Sequence, residues 1–217
     1  ELKEKALRLL KIKSFDSFKI SKKSVDARKK TDVFLVYSVD IQTENEEAIL
    51  KNSKLKNISR VEKKAYEFPK NGKLNKRPLI VGTGPAGLFA GLVLAQAGYK
   101  PLLIERGENV HERSRRVQKF WEEAKFCESS NVQFGEGGAG TFSDGKLTTG
   151  IKDFRITKVL EEFVRFGASE EILYLSKPHI GTDVLKGVVE GIREEIIRLG
   201  GEVRFNTRLE KVNVWEN

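Results

Sequence analysis

Apolar positions change their spacing near residue 78, and the elements they predict change with them. Leu2, Ala6, Leu9 and Leu10 share one face of a short amphipathic helix over 2–12, with Lys3, Glu4, Lys5 and Arg8 mostly elsewhere. Phe15, Phe18 and Ile20 then precede the basic run KKSVDARKK at 22–30. The run VFLVYSVDI at 33–41, rich in β-branched and aromatic side chains, predicts a buried strand. A helix is expected over 44–50 and a further strand within 58–68. Pro69, Asn71, Gly72 and the polar residues through Arg77 predict a linker that closes a small α+β module.

From Pro78 the order becomes strand, turn, helix, strand. Leu79–Val81 predicts a short strand, 85–97 a helix with Gly98 as its C-terminal stop, and 101–105 the next strand, which together make a βαβ unit. Residues 108–125 predict a charged helix carrying Val110, Val117, Phe120 and Trp121, followed by an irregular Gly-rich segment at 131–150. A helix over 153–166, a short strand at ILYL (172–175), a helix over 182–199 capped by Thr182 or Asp183, and strands in EVRFNTRLEKVNVW (202–215) complete the pattern. The fold class expected is α/β: a Rossmann-like FAD/NAD(P)-binding domain over 78–217, preceded by a small basic α+β module over 1–77.

Charge sharpens this division. The 40 Lys and Arg outnumber the 31 Asp and Glu of the 217 residues, giving +9. Residues 1–77 hold 21 of the basic and 11 of the acidic side chains, so the whole excess lies there and the remainder is near neutral. A basic leader with Phe15, Phe18 and Tyr37 available to stack on bases raises nucleic acid as a partner of residues 1–77, against a simply solvated basic face.

A single Cys excludes an internal disulfide and a Cys-rich zinc site, and with two His it argues against a resident metal. It also suits a reducing compartment, most simply the cytoplasm. ELKEKALRLLKIK lacks the apolar core and cleavage site of a secretory signal, and the sequence contains no Met, so the initiator is not in it. Leu79–Tyr99 carries no formal charge. Gly and Pro break it into strand, turn and helix, which argues against a membrane span.

The strongest chemical signal is Gly82-Thr83-Gly84-Pro85-Ala86-Gly87, placed between a predicted strand and a predicted helix. Gly82 permits the tight turn, Gly84 lets the backbone approach a pyrophosphate, and Gly87 lets helix pack closely on strand, while the helix N-terminus offers N–H groups and partial positive charge. Glu105, 18 positions after Gly87, ends the next strand, where a carboxylate accepts hydrogen bonds from ribose hydroxyls and repels a 2′-phosphate. Arg106 beside it could accommodate that phosphate. Glu105 is the closer of the two, which favours FAD or NAD over NADP. The alternative is a plain Gly-rich turn with a solvent-facing Glu, and the agreement of strand, turn, helix, strand and acid outweighs it.

Four further features bear on the chemistry. The 131–150 segment has six Gly, small hydroxyl residues, and Phe134, Phe142 and Leu147 as apolar anchors, which suits a loop lying flat on a ligand better than a flexible tether. His179, near Asp183 and Lys177, could handle protons, although a turn shaped by Pro178 and Gly181 explains it as well or better. His111 reads as a solvated helix residue and Cys127 as a free structural thiol.

The stretches PLIVGTGPAGLFAGLVLAQAGYKPLLIERG, VHERSRRVQKFW, SNVQFGEGGAGTFSDGKLTTGIKD, KPHIGTDVL and GGEVRFNT resemble the bacterial family of uncharacterised FAD-dependent dehydrogenases, flavoproteins with a glutathione-reductase-like FAD domain. The resemblance covers nearly all of 78–210, and FGEGGAGTFSDGKL is its most specific part. It implies that Gly82, Gly84, Pro85, Ala86 and Gly87 cradle the FAD pyrophosphate and that Glu105 holds the ribose. It further implies Arg106 and Arg113 at the ribose-phosphate end, Leu209 beside adenine, and Gly137, Gly138, Gly140, Thr141, Ser143, Asp144 and Lys146 toward the flavin and its diphosphate. Lys146 and His179 are the two side chains considered for catalysis.

Members of that family continue with a substrate-facing domain and a returning segment that completes the flavin site, so this chain is expected to be the N-terminal portion of a longer protein. The implied activity is an FAD-dependent oxidoreductase with NAD(P)H as a candidate electron donor. The competing reading is a nucleotide-sensing module that binds nucleic acid or a partner without turnover.

Overall fold

The computed structural model describes residues 1–29, 31–52, 57–62, 65–68 and 74–214. They divide into two compact units, Glu1–Ala65 with Glu170–Pro178, and Tyr66–Ser169 with His179–Asn217. Pro69, Asn71 and Gly72 of the expected linker lie outside the described residues.

In the first unit, helix α1 (Leu2–Leu10) ends where Lys11 turns left-handed at φ 55°, its N–H bonding the Leu7 carbonyl. Strands β1 (Ser17–Lys29) and β2 (Asp32–Gln42) form an antiparallel hairpin in which Phe18 faces Ile41, Ile20 faces Val39 and Val25 faces Leu35. The basic run expected to precede a strand is therefore itself strand. Pairing along β2, not its own composition, holds it extended. A shift of register between Ile20 and Lys22 lets one edge continue outward, where Lys23 N–H donates to Tyr174 O at 2.7 Å and Ser176 N–H to Lys23 O at 3.2 Å.

Helix α2 (Glu46–Asn52) follows. Three sequence expectations are corrected in this unit. Strand β2 is not buried along its length, since Val33, Phe34, Leu35 and Val36 are exposed and only Tyr37 and the Val39–Ile41 end are partly covered. The described residues of 58–68 form no strand, because Arg60, Glu62 and Glu67 interrupt the apolar run and it pairs with no neighbour there. ILYL at 172–175 is not a strand either. A 3-10 turn spans Glu170–Leu173, and only Leu175 bridges to Lys23.

The second unit is built on three parallel strands, β3 (Leu79–Val81), β4 (Leu102–Ile104) and, last in the chain, β5 (Glu202–Arg204), in the order β3-β4-β5. Parallel neighbours need a crossover, and helix α3 (Pro85–Gln96) provides it between β3 and β4. Helix α4 (Val110–Glu123) starts at Asn109, whose side chain accepts from the N–H groups of His111 and Glu112. Helix α5 (Arg155–Arg165) and helix α6 (Thr182–Arg198) complete the layer. The sheet and helices share a core of Leu88, Leu92, Leu103, Val188, Ile192 and Ile196, all nearly inaccessible. Gly91 sets the closeness of this packing, because a Cβ there would lie 2.9 Å from Leu103 and 3.2 Å from Ile196.

Two local expectations are corrected here as well. Gly181, not Thr182 or Asp183, is the N-cap of α6, and no side chain caps that helix. After Arg204 the chain leaves strand geometry, so 205–214 carries no regular structure. It turns at Asn206 (φ 53°) and folds back, with Asn206 N–H on Gly107 O (3.0 Å) and Thr207 N–H on Glu105 O (2.8 Å). No helix among the described residues is long and apolar enough to cross a membrane.

Candidate nucleotide site

The turn between β3 and α3 is shaped by its glycines. Gly82 has φ +94°, a conformation L side chains rarely adopt, and its N–H bonds Ile104 O at 2.7 Å, which ties the end of β3 to β4. A Cβ at Gly87 would stand 2.0 Å from the Gly82 carbonyl oxygen, so only glycine lets the helix enter this close. Gly84 is the opposite case, since a Cβ there would meet no protein atom within 4 Å. The space beside it is open and faces the first turn of α3, whose N–H groups have no intrahelical acceptor and carry the positive end of the helix dipole. Pro85, at the first helical position, removes no hydrogen bond the helix needs.

Glu105 follows β4 and is 6% exposed. One carboxylate oxygen accepts from Thr83 N–H (2.8 Å) and the Thr83 hydroxyl (3.1 Å), the other from Gly107 N–H (2.8 Å). The acid therefore joins the turn after β3 to the turn after β4, and its second oxygen keeps a lone pair for a ribose hydroxyl. Thr83, completely buried, is the residue that the sequence reading missed at this point. Its hydroxyl anchors the acid, whereas the fingerprint treats its position as free.

The Gly-rich segment lies on the same turn. Gly137 N–H donates to Thr83 O at 2.8 Å, and a Cβ on Gly138 would come within 3.0 Å of the Pro85 ring and 3.4 Å of Gly84 Cα. Gly135 packs against Gly107, whose added Cβ would be 2.6 Å from Gly135 Cα, so the segment also touches the Glu105–Gly107 turn. Phe134 lies under the Arg106 guanidinium at 3.7 Å from its ring centroid.

Arg113, on α4, lies inside this segment with no exposed surface. Its Nε donates to Asn131 O (2.9 Å), Nη2 to Val132 O (3.0 Å), and Nη1 to Glu136 O (2.5 Å) and Gly138 O (2.9 Å). Burial pushes its pKa down to about 10, opposed by the charges of Glu105 and Glu136, so it stays charged at neutral pH. Glu136 is the second fully buried charge: one carboxylate oxygen accepts from Val110 N–H and Arg193 Nη1, both at 2.7 Å, and the other has no partner among the described residues. Burial raises its pKa, with the Arg193 charge and the Val110 N–H pulling it back. The Thr141 hydroxyl is likewise buried with no partner among the described residues. The pairing of Glu136 with Arg193 carried no sequence signal, because the two lie 57 positions apart in the chain.

Other candidates stand further out. Ser143, Asp144 and Lys146 are exposed, and Asp144 pairs with Lys146 at 2.7 Å, a contact that holds the carboxyl below its usual range. Lys146 forms an antiparallel bridge with His179, and in the same crossing Ile180 N–H donates to Gly145 O at 2.9 Å, while Gly145 N–H donates to the Ser143 hydroxyl at 3.3 Å. Gly140 is exposed on the 3-10 turn Ala139–Phe142. Leu209 is 41% exposed in the irregular segment after β5. His111 pairs with Glu190 at 2.8 Å, and the Cys127 thiol lies 3.5 Å from the Ser129 hydroxyl, which lowers its pKa. A concavity lined by Arg77, Pro78, Tyr99, Lys100 and Gly200 opens at the N-terminal ends of the strands, the wrong end of a parallel sheet for a nucleotide.

Comparison with known proteins agrees with this geometry. Residues 77–118, which contain the turn, Glu105 and the start of α4, match a family described as an FAD binding domain. Residues 1–42 match a domain of unknown function (DUF8436). An uncharacterised protein of Clostridium beijerinckii is 54% identical over 195 residues, 89% of this chain, and the chain spans 37% of the length of that relative. The parallel sheet, the glycine turn at its C-terminal edge and this match together support an FAD-binding domain of Rossmann-like α/β fold.

Proposed function

We propose that this chain is the FAD-binding part of a flavin-dependent oxidoreductase of dehydrogenase type. The observation that carries the reading is the seating of Gly137 and Gly138 on the Gly82–Gly87 turn, next to the buried Glu105. Two glycine-rich backbones converging on one helix N-terminus make a place that a diphosphate fills and a side chain would not. Gly82, Gly84, Pro85, Ala86 and Gly87 would hold the pyrophosphate and Glu105 the adenosine ribose. When bound, FAD supplies hydride or electron acceptance at its isoalloxazine ring. The chain's own groups orient the dinucleotide and exclude water from its diphosphate, with NAD(P)H as the proposed electron donor. Asp144, Lys146 and His179 form the polar group proposed toward the flavin end. Substrate recognition is assigned to the part of the protein beyond this chain.

The test is a visible spectrum of the full-length protein under anaerobic conditions, before and after NAD(P)H. A bound-flavin spectrum that bleaches supports both cofactor and redox role. Bound flavin that no NAD(P)H or other donor bleaches would favour a sensor without turnover, and absence of flavin after incubation with FAD would remove the reading.

A further inference from the structure

The Gly-rich segment 131–142 has no helix or strand of its own before Ala139, yet it is laid on the nucleotide turn. Two buried side chains organise it. The Asn131 amide accepts from Gln133 and Phe134 N–H and donates to Cys127 O and Glu128 O. Five carbonyl groups, from Asn131, Val132, Gly135, Glu136 and Gly138, converge on the Arg113 guanidinium, with Gly135 O the most distant at 3.4 Å, and engage four of its five N–H donors. The fit is specific to this site: a Cβ on Gly135 would lie 2.6 Å from Arg113 Cδ, so the backbone can wrap the arginine stem only as glycine. The Phe142 ring closes over the guanidinium at 4.8 Å.

Peptide geometry turns this inward convergence into an outward display. No peptide bond here is cis, and in a trans unit the C=O and the following N–H point in opposite directions. Glu136 C=O and Gly138 C=O both face Arg113 Nη1, so the N–H groups of Gly137 and Ala139 both face away from it. The first of these reaches Thr83 O in the nucleotide turn at 2.8 Å. The second belongs to an exposed residue directly after Gly138, whose added Cβ would lie 3.0 Å from the Pro85 ring and 3.4 Å from Gly84 Cα, and has no protein acceptor among the described residues.

We propose that Arg113 is a positioning residue for cofactor binding: it acts through the loop, holding its carbonyls inward so that the Ala139 N–H is presented to the diphosphate beside Gly84. This rests on the FAD reading above and assigns Arg113 a role without direct contact to the ligand. Lysine cannot replace it, because an ammonium offers three donors from one atom where five carbonyls are spread around a planar fork. Gly138→Ala should act on the same loop from the other side, since its Cβ would press on Pro85 and its φ of +67° disfavours a side chain.

The experiment is FAD titration of the full-length wild-type protein, Arg113→Lys and Gly138→Ala, each also followed by far-ultraviolet circular dichroism and thermal melting. The expected result is FAD affinity reduced tenfold or more in both variants. For Gly138→Ala, a cooperative melt near that of the wild type is expected, separating loss of the loop's seat from loss of fold. AMP, which lacks the diphosphate and reaches only the Glu105 end, should compete equally well in wild type and Gly138→Ala. Wild-type FAD affinity in a folded Arg113→Lys, or in Gly138→Ala if the lysine variant does not fold, would overturn the proposal while leaving the FAD reading intact. Failure of the wild type to bind FAD would remove both.

Discussion

Gly84 and Gly87 stand three residues apart in one turn, and a methyl group would meet opposite surroundings at the two. At Gly87 it collides with the Gly82 carbonyl at 2.0 Å, and at Gly84 it enters open space. Gly87→Ala is expected to destabilise the fold by about 1–3 kcal/mol, the usual range for forced overpacking, and chemical denaturation measures it. Gly84→Ala is expected to leave the denaturation midpoint unchanged and to weaken FAD by tenfold or more, equivalent to about 1.4 kcal/mol of binding. The reverse pattern would mean that the turn is a packing device without a ligand. These glycines were readable in the sequence because both belong to one short local pattern, in which Gly87 is demanded by the Gly82 carbonyl five residues before it and Gly84 borders the open space. Arg113 and Glu136 were not readable in these roles: their partners are backbone groups 18–26 positions away, which any residue type could supply.

At the scale of elements, the same distinction separates the second unit from the first. Strand β3, helix α3 and strand β4 follow the pattern of the sequence, since Gly82, Pro85 and Gly98 punctuate them locally. β1 was hidden by its Lys-rich composition, and 172–175 was misread because an apolar run alone does not distinguish a strand from a tight turn. Helices α5 and α6 are tied by one charge pair that no periodicity announces, Arg165 with Glu195, supported by pairs at helical spacing within each helix. Arg165 bonds both Glu162 and Glu195, Arg198 adds to Glu195, and Lys158 and Gln96 add to Glu162.

Hydrogen bonds from Arg198, then Arg165, hold Glu195 down to about 2 from an ordinary 4.5, against the effect of burial. A carboxylate lowered in the folded state contributes stability that is present above about pH 4.5 and is lost as pH falls toward 2. The melting temperature should therefore fall with acidification over that window, and less steeply in Glu195→Gln. Identical acid slopes for the two proteins would contradict the assignment.

Over the whole molecule, the basic excess sits in residues 1–77 while the glycine turn and its acid lie in a nearly neutral remainder. The first unit also exposes Val25, Val33, Phe34, Leu35 and Val36 on a hairpin that carries Lys19, Lys22 and Lys29. If this part meets a polyanion such as nucleic acid, heparin should retain the protein, and changing those three lysines to Gln should lower the eluting salt concentration. Equal elution would remove the idea. The central claim concerns the other unit, that the two glycine segments and Glu105 form an FAD site. Equilibrium dialysis of the full-length protein against FAD tests it most directly. The account predicts one FAD retained per chain, displaced by excess ADP and lost in Gly84→Ala; no FAD retained by the wild-type protein would contradict it.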